Sequence, residues 1–151
     1  MITIDKLKTK IDKNSRLLGL DIGTKRIGLS ICDDRRSIAT PYKTLNFLKI
    51  NKFINDLKII IEENNIKALI IGYPLNMDGT EGKSTQSIND KSKVIASKIN
   101  VPIAFWDERL STVGSFNISS QLDVNISKKM KKIDEKAAAF ILQGAIDYLN
   151  N

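Results

Sequence analysis

Two short apolar runs, Leu17-Leu18-Gly19-Leu20-Asp21-Ile22 and Ile27-Gly28-Leu29-Ser30-Ile31-Cys32, stand on either side of the turn sequence Gly23-Thr24-Lys25-Arg26. Apolar runs of this length around a glycine-led turn predict an antiparallel hairpin, and the rest of the chain has to be built around it. Asp33-Asp34-Arg35-Arg36 predicts a second turn, followed by a third extended stretch over residues 37–45. Phe47, Ile50, Phe53, Ile54, Leu57 and Ile61 then recur at helical spacing, predicting an amphipathic helix to about Asn64. A fourth strand over residues 67–73 holds Ala68-Leu69-Ile70-Ile71, apolar enough to be buried on both faces. Residues 74–84 form a glycine-bearing loop. The next helix, over 85–98, carries Ile88, Ser92, Ile95 and Ile99 on one side, and 102–106 is a fifth strand. Residues 110–122 and 135–149 predict two more helices joined by a lysine-rich connection. The order βββαβαβαα predicts an α/β fold: a five-stranded mixed sheet, three antiparallel strands and then parallel ones, flanked by helices. At 151 residues the chain suits one domain, expected over residues 16–151. Residues 1–15 are a polar, lysine-bearing extension that reads as a short helix or a frayed arm.

Composition removes several chemistries. The chain has no histidine, which excludes a Ser-His-Asp triad, a histidine general base and histidine-ligated zinc. Its single cysteine, Cys32, excludes intrachain disulfides and cysteine-cluster metal sites, and its apolar surroundings predict a buried, inert thiol. A reducing, cytoplasmic setting is expected. No apolar stretch approaches membrane-spanning length, and the N-terminus lacks a signal-peptide core. The formal charge of +7 suits a polyanion partner such as nucleic acid. The excess of Lys (19) over Arg (5) fits A/T-rich codon usage, but codon usage explains the basic excess itself less well, because Glu codons lean the same way.

Carboxylates are left as the main candidates for catalysis. Asp21 interrupts an apolar strand, and burying an unpaired carboxylate costs several kcal/mol, so it needs a partner, a metal or the backbone N–H groups of the Gly23 turn. Asp107-Glu108-Arg109 follows the fifth strand directly, at the carboxyl edge where ligands of open α/β sheets gather. Strand alternation sends Asp107 and Glu108 to opposite faces, so one of the two can share a site with Asp21. The alternative gives Asp107 to turn formation and Glu108 to a pair with Arg109 or to the next helix. Asp134 stands just before an apolar helical face, where it is either an N-cap or a carboxylate aimed at the sheet. Three such acids suit hard divalent cations bound through oxygen, Mg²⁺ or Mn²⁺, which can align a phosphodiester and activate water. Lys25 and Arg26 lie near Asp21, Arg109 follows Glu108, and Lys128, Lys129, Lys131 and Lys132 precede Asp134. These basic neighbours fit a phosphate cradle as well as a solvated face.

Gly82-Lys83-Ser84 imitates the end of a P-loop, but position 77, where the leading glycine belongs, is Met77. The loop is therefore not read as a triphosphate cradle. A substrate-facing loop with Asn76, Asp78, Gly79 and Thr80, or a plain surface turn, remains.

Four segments together resemble one family. They are Leu20-Asp21-Ile22-Gly23-Thr24-Lys25-Arg26-Ile27-Gly28, Gly72-Tyr73-Pro74-Leu75-Asn76-Met77-Asp78-Gly79-Thr80, Asp107-Glu108-Arg109-Leu110-Ser111-Thr112 and Ile133-Asp134-Glu135-Lys136-Ala137-Ala138. Their order and spacing are similar to those of the YqgF family, described as pre-16S rRNA nucleases or Holliday-junction-resolvase-like proteins. The resemblance implies an RNase H-like fold and metal-dependent phosphodiester hydrolysis with one or two Mg²⁺ or Mn²⁺ ions. It matches Asp21, Glu108 and Asp134 to the family's acidic positions, which favours Glu108 over Asp107 and a site role for Asp134. It implies rRNA precursor as substrate, with branched DNA as the alternative polymer, and ribosomal or processing proteins as partners. Tyr73, Ser115-Phe116-Asn117 and Met130 depart from the pattern without touching an acid. Two other classes compete. The Asp21–Thr24 hairpin also resembles the phosphate loop of sugar kinases and actin-like ATPases, which need two such domains where this chain supplies one. A non-catalytic RNA-binding module would share the charge, yet it gains little from three carboxylates facing phosphates.

Overall fold

A computed structural model of the chain describes residues 1–75, 78, 79, 82–110 and 126–151, giving the backbone alone at 83, 84 and 126–132. Its strands are β1 (Arg16–Ile22), β2 (Arg26–Cys32), β3 (Ala39–Asn46), β4 (Ile66–Tyr73) and β5 (Ile103–Asp107). Its helices are α1 (Ile4–Lys10), α2 (Ile50–Glu63), α3 (Lys83–Lys98) and α4 (Ile126–Leu149), and a single 3₁₀ turn, Glu108–Leu110, follows β5. The strands form one sheet in the order β3-β2-β1-β4-β5. The β1–β2 and β2–β3 pairs are antiparallel, and the β1–β4 and β4–β5 pairs are parallel. This is the mixed sheet that the order of apolar runs predicts.

Alternation along the strands sorts the core into two layers. Leu18, Leu20, Ile22, Ile27, Leu29, Ile31, Leu69 and Ile71 face α2 and α3, meeting Phe53, Leu57, Ile60, Ile88 and Ile95. Leu17, Cys32, Ala68, Ile70, Ala104 and Trp106 face the other way, onto Ile141, Leu142, Ala145, Ile146 and Leu149 of α4. Helix α1 joins this second layer through Leu7, which is buried. Its start is capped by Thr3, whose Oγ1 accepts from the Lys6 N–H at 3.2 Å. The polar N-terminal segment therefore contains a docked helix. Cys32 is buried and free, with burial pushing its thiol pKa up, as expected for an inert position. Among the described residues no helix is long and apolar enough to cross a membrane.

Several boundaries differ from the sequence expectation: β4 begins at Ile66, α3 already at Lys83 and β5 runs one residue later, to Asp107, and three further shifts have a local cause or consequence. Ser37 and Ile38 belong to the turn before β3, because the Asp33 carboxylate accepts from both backbone N–H groups, at 2.7 and 2.9 Å. Phe47 precedes α2 and is tied to the hairpin, its N–H donating to the Lys25 carbonyl at 3.0 Å. The lysine-rich stretch over 126–134 is helical, so α4 begins at Ile126 and Asp134 lies inside the helix. Asp134 is therefore not an N-cap. The helix expected over 110–122 falls, beyond Leu110, outside the described residues.

Candidate active site

The parallel strands β1, β4 and β5 end on the same edge of the sheet. Asp21 stands near the end of β1, and Glu108 follows β5 immediately. Asp21 shares the parity of Leu17 and Gly19, so it lies on the α4 side of the sheet. Continuing the alternation of Ala104 and Trp106 puts Glu108 on that side and Asp107 on the other. The expectation that a single acid of the pair could join Asp21 is resolved by this parity.

Two glycines let the other acids close in. Gly28 is the cross-strand partner of Asp21. A Cβ at Gly28 would meet the backbone carbonyl and Cβ of Asp134, so α4 touches the sheet beside Asp21. On the β4 side, a Cβ at Gly72 would collide with the Ile141 side chain and come within 3.4 Å of the Glu108 carboxyl carbon. Gly72 is one residue beyond the Leu20–Ile71 pairing, so it neighbours Asp21 on β4. Asp134 and Glu108 thus approach Asp21 from opposite sides, each over a position that has no side chain.

The electrostatics record the convergence. Burial, then the charges of Glu108 and Asp134, raise the Asp21 pKa from 3.8 to about 7. Glu108 is also raised, by burial first and the neighbouring Asp107 charge second. Burial raises Asp134, and Arg26 opposes the shift. Arg26 Nε donates to Asp134 Oδ2 at 3.0 Å, with both side chains partly exposed.

Part of this donor set suits a divalent cation. Asp21 and Glu108 are half-buried oxygen donors, and among the described residues neither carboxylate takes a hydrogen bond or meets a cation. That donor set fits a hard cation. Asp134 is engaged by Arg26, and among the described residues no three acids are grouped closely enough to hold an ion together. The fit is therefore clear for Asp21 and Glu108, while Asp134 adjoins them.

The basic candidates divide. Lys25 is exposed at the tip of the β1–β2 turn and Arg26 is half-buried on Asp134. Arg109 is bound to Asp107: its Nη2 lies 2.7 Å from Oδ2, its Nε lies 3.0 and 3.1 Å from the two oxygens, and its backbone N–H donates to Oδ1 at 3.0 Å. Lys128, Lys129, Lys131 and Lys132 lie on the opening turns of α4, leading to Asp134, and their side chains fall outside the described residues. In the loop after β4, Asp78 and Gly79 are exposed and Gly79 adopts φ +88°, while Asn76 and Thr80 fall outside the description. Sequence reasoning missed Lys91. Its Nζ, on α3, donates to the Gly23 and Thr24 carbonyls at 2.5 and 2.9 Å and lies over the Phe47 ring. It braces the turn next to Asp21 from a helix remote in sequence, and no spacing rule signals such a contact.

Comparison with known proteins places the chain. A protein of Pelagibacter ubique (strain HTCC1062), provisionally named a pre-16S rRNA nuclease, is 60% identical over 151 residues, all of both chains. A protein of Rhizobium meliloti (strain 1021) with the same name is 38% identical over 149 residues, 99% of this chain and 90% of its own. Among solved structures, Thermus thermophilus RuvC in complex with a Holliday junction substrate superposes with a TM-score of 0.54 at 9% identity, over 89% of this chain and 94% of that one. At that identity the likeness concerns the fold, the RNase H-like arrangement. The family model described as "RuvX: Holliday junction resolvase" matches residues 15–148, and with these relatives it shows that the chain belongs to the RuvX/YqgF family.

Proposed function

We propose that this chain is a divalent-metal-dependent nuclease that hydrolyses phosphodiester bonds in the precursor of 16S rRNA. The observation that carries the reading is the placement of Asp21 at the carboxyl edge of the parallel strands, with Asp134 against its cross-strand partner Gly28 and Glu108 over the neighbouring Gly72; the raised Asp21 pKa agrees with it. Acids whose charges oppose one another are costly to keep together unless a cation or a polyanion chemistry uses them. The names of the close relatives support RNA as the substrate. The family description supports a four-way DNA junction as the alternative polymer.

In this reading Asp21 and Glu108 are the principal oxygen ligands and Asp134 is the third acid. When bound, Mg²⁺ or Mn²⁺ supplies charge neutralisation at the phosphate and lowers the pKa of water. The chain's own residues bind and orient. Lys25, the guanidinium edge of Arg26 that Asp134 leaves open, and Lys128, Lys129, Lys131 and Lys132 hold backbone phosphates. Asn76, Asp78, Gly79 and Thr80 are assigned to substrate contact, as the loop sequence after β4 suggests. Ribosomal or processing proteins are the expected partners, and the free Cys32 suits the reducing cytoplasm.

End-labelled single-stranded RNA, an rRNA-precursor fragment and a four-way DNA junction, incubated with Mn²⁺, Mg²⁺ or chelator, test the reading. Metal-dependent cutting of the precursor that disappears in Asp21→Asn, purified identically, is the expected result. Cutting of the junction alone would transfer the activity to DNA. Retained RNA binding without cleavage under every metal would replace the nuclease by a binding module.

A further inference from the structure

The Asp107-Glu108-Arg109 tripeptide is closed on itself. Asp107 accepts the Arg109 backbone N–H at 3.0 Å, and it also takes the guanidinium through both carboxylate oxygens, at 2.7 to 3.1 Å. The residues on either side of Glu108 are therefore locked to each other, with Glu108 at the start of the 3₁₀ turn between them. Among the described residues the Glu108 carboxylate takes no hydrogen bond of its own. Its direction depends on the backbone that carries it and on the space above Gly72. Arg109 also reaches the loop after β4, since a Cβ at Gly79 would stand 3.4 Å from its Nη1.

We propose that Arg109 is a positioning residue that acts through Asp107 to aim Glu108, and not a phosphate contact. This rests on the nuclease reading given above, in which Glu108 is a metal ligand. A planar guanidinium bound to a carboxylate in a fork gives angular definition that an ammonium cannot reproduce. The carboxylate also cancels most of the charge that a phosphate would otherwise meet. Asp107, on the far face of the strand from Asp21, gains a role as the other half of the clamp.

The test separates geometry from charge. Arg109→Ala, Arg109→Lys, Asp107→Ala and the double Ala variant are compared with wild type by three readouts: Kd for single-stranded RNA against salt in chelator, Mn²⁺ affinity without nucleic acid, and single-turnover cleavage. Positioning predicts that Mn²⁺ binding weakens and cleavage falls about 100-fold in each single variant. Arg109→Lys should match Arg109→Ala, and the double variant should match the singles, since both remove one clamp. The slope of log Kd against log salt should equal that of wild type. A phosphate contact predicts instead that Arg109→Ala lowers the slope by about 0.7, that Arg109→Lys restores it and that Asp107→Ala leaves metal binding intact. That result overturns the proposal. Melting curves identify any variant that fails to fold, and in that case Arg109→Lys alone decides between the outcomes by its Mn²⁺ affinity, weakened under positioning and unchanged under a phosphate contact, because both readings leave its salt slope at the wild-type value. Wild-type protein that neither binds Mn²⁺ nor cuts nucleic acid would remove the nuclease reading. Wild-type protein that does both, with the slope change above, would remove this inference alone.

Discussion

Asp21 is held where ionising it opposes folding. Its carboxyl has an ordinary pKa of 3.8 and is raised to about 7 in the folded chain. Between those values the folded state keeps a proton that the unfolded state has released, so stability falls as pH rises from about 4 to about 7 and stays reduced above. Asp21→Asn removes the effect. In chelator, the urea midpoint of wild type should therefore decline from pH 5 to pH 8 relative to the variant. The difference should be on the order of 1–3 kcal/mol after allowing for partial exposure. Mn²⁺ at pH 8 should raise the wild-type midpoint and leave that of Asp21→Asn in place. Parallel pH profiles for the two proteins would show that the carboxyl is not strained by its neighbours. Asp21 was legible in the sequence because a carboxylate inside an apolar strand is conspicuous. Glu108 and Asp134 were not separable from Asp107 or from an N-cap by their own residues, since each has a bland local use. The family resemblance favoured them, and in the structure the parity of β5 and the true start of α4 give the physical reason.

At the scale of elements, α4 decides where Asp134 comes to the sheet. It lies against β1 and β2 with no side chain between at Gly28, and Ser30 Oγ donates to the Ala138 carbonyl at 2.6 Å one turn further on. Gly28→Ala would place a methyl against the Asp134 backbone and push the helix outward exactly where it carries the acid. The expected cost is about 1–3 kcal/mol of stability, with cleavage reduced far more than the unfolded fraction accounts for. Denaturant unfolding and single-turnover cleavage on one preparation check both halves of that expectation. A variant with wild-type activity would mean that Asp134 does not need close approach. The small residues Gly19, Gly28, Ser30, Ala68, Gly72 and Ala104 all lie on the same face of the sheet, and that pattern could have revealed the face on which α4 packs closely and the acids on it. The beginning of α4 was hidden because a lysine run carries no apolar periodicity, although lysine is a good helix former.

Across the whole molecule, both chain ends are secured at the edge of the sheet opposite Asp21. Arg36 is buried, with φ 52°, and donates to the Asp12 carbonyl at 3.1 Å and to Asn150 Oδ1 at 3.2 and 3.0 Å. Asn150 returns a hydrogen bond to the Arg36 carbonyl at 2.8 Å, and Lys8 Nζ reaches the Asn151 carbonyl at 2.7 Å. Arg36→Ala leaves these acceptors unmatched and should cost about 1–3 kcal/mol, read as a lower urea midpoint. Mn²⁺ affinity should not change, because the latch and the acids occupy opposite ends of the strands; a matching loss of metal binding would show that the two ends are coupled. The sequence by itself determined the succession of strands and helices, the mixed sheet, the exclusion of histidine and cysteine chemistry and the carboxylate at position 21. Each follows from local periodicity or from composition, which a linear chain displays directly. The tertiary structure decided which acids meet Asp21, which arginine is committed to a carboxylate, and how Lys91 and Arg36 tie remote segments together. Those outcomes depend on the face of a strand and the closeness of a helix to a sheet, and both are set when residues far apart in the chain pack in three dimensions.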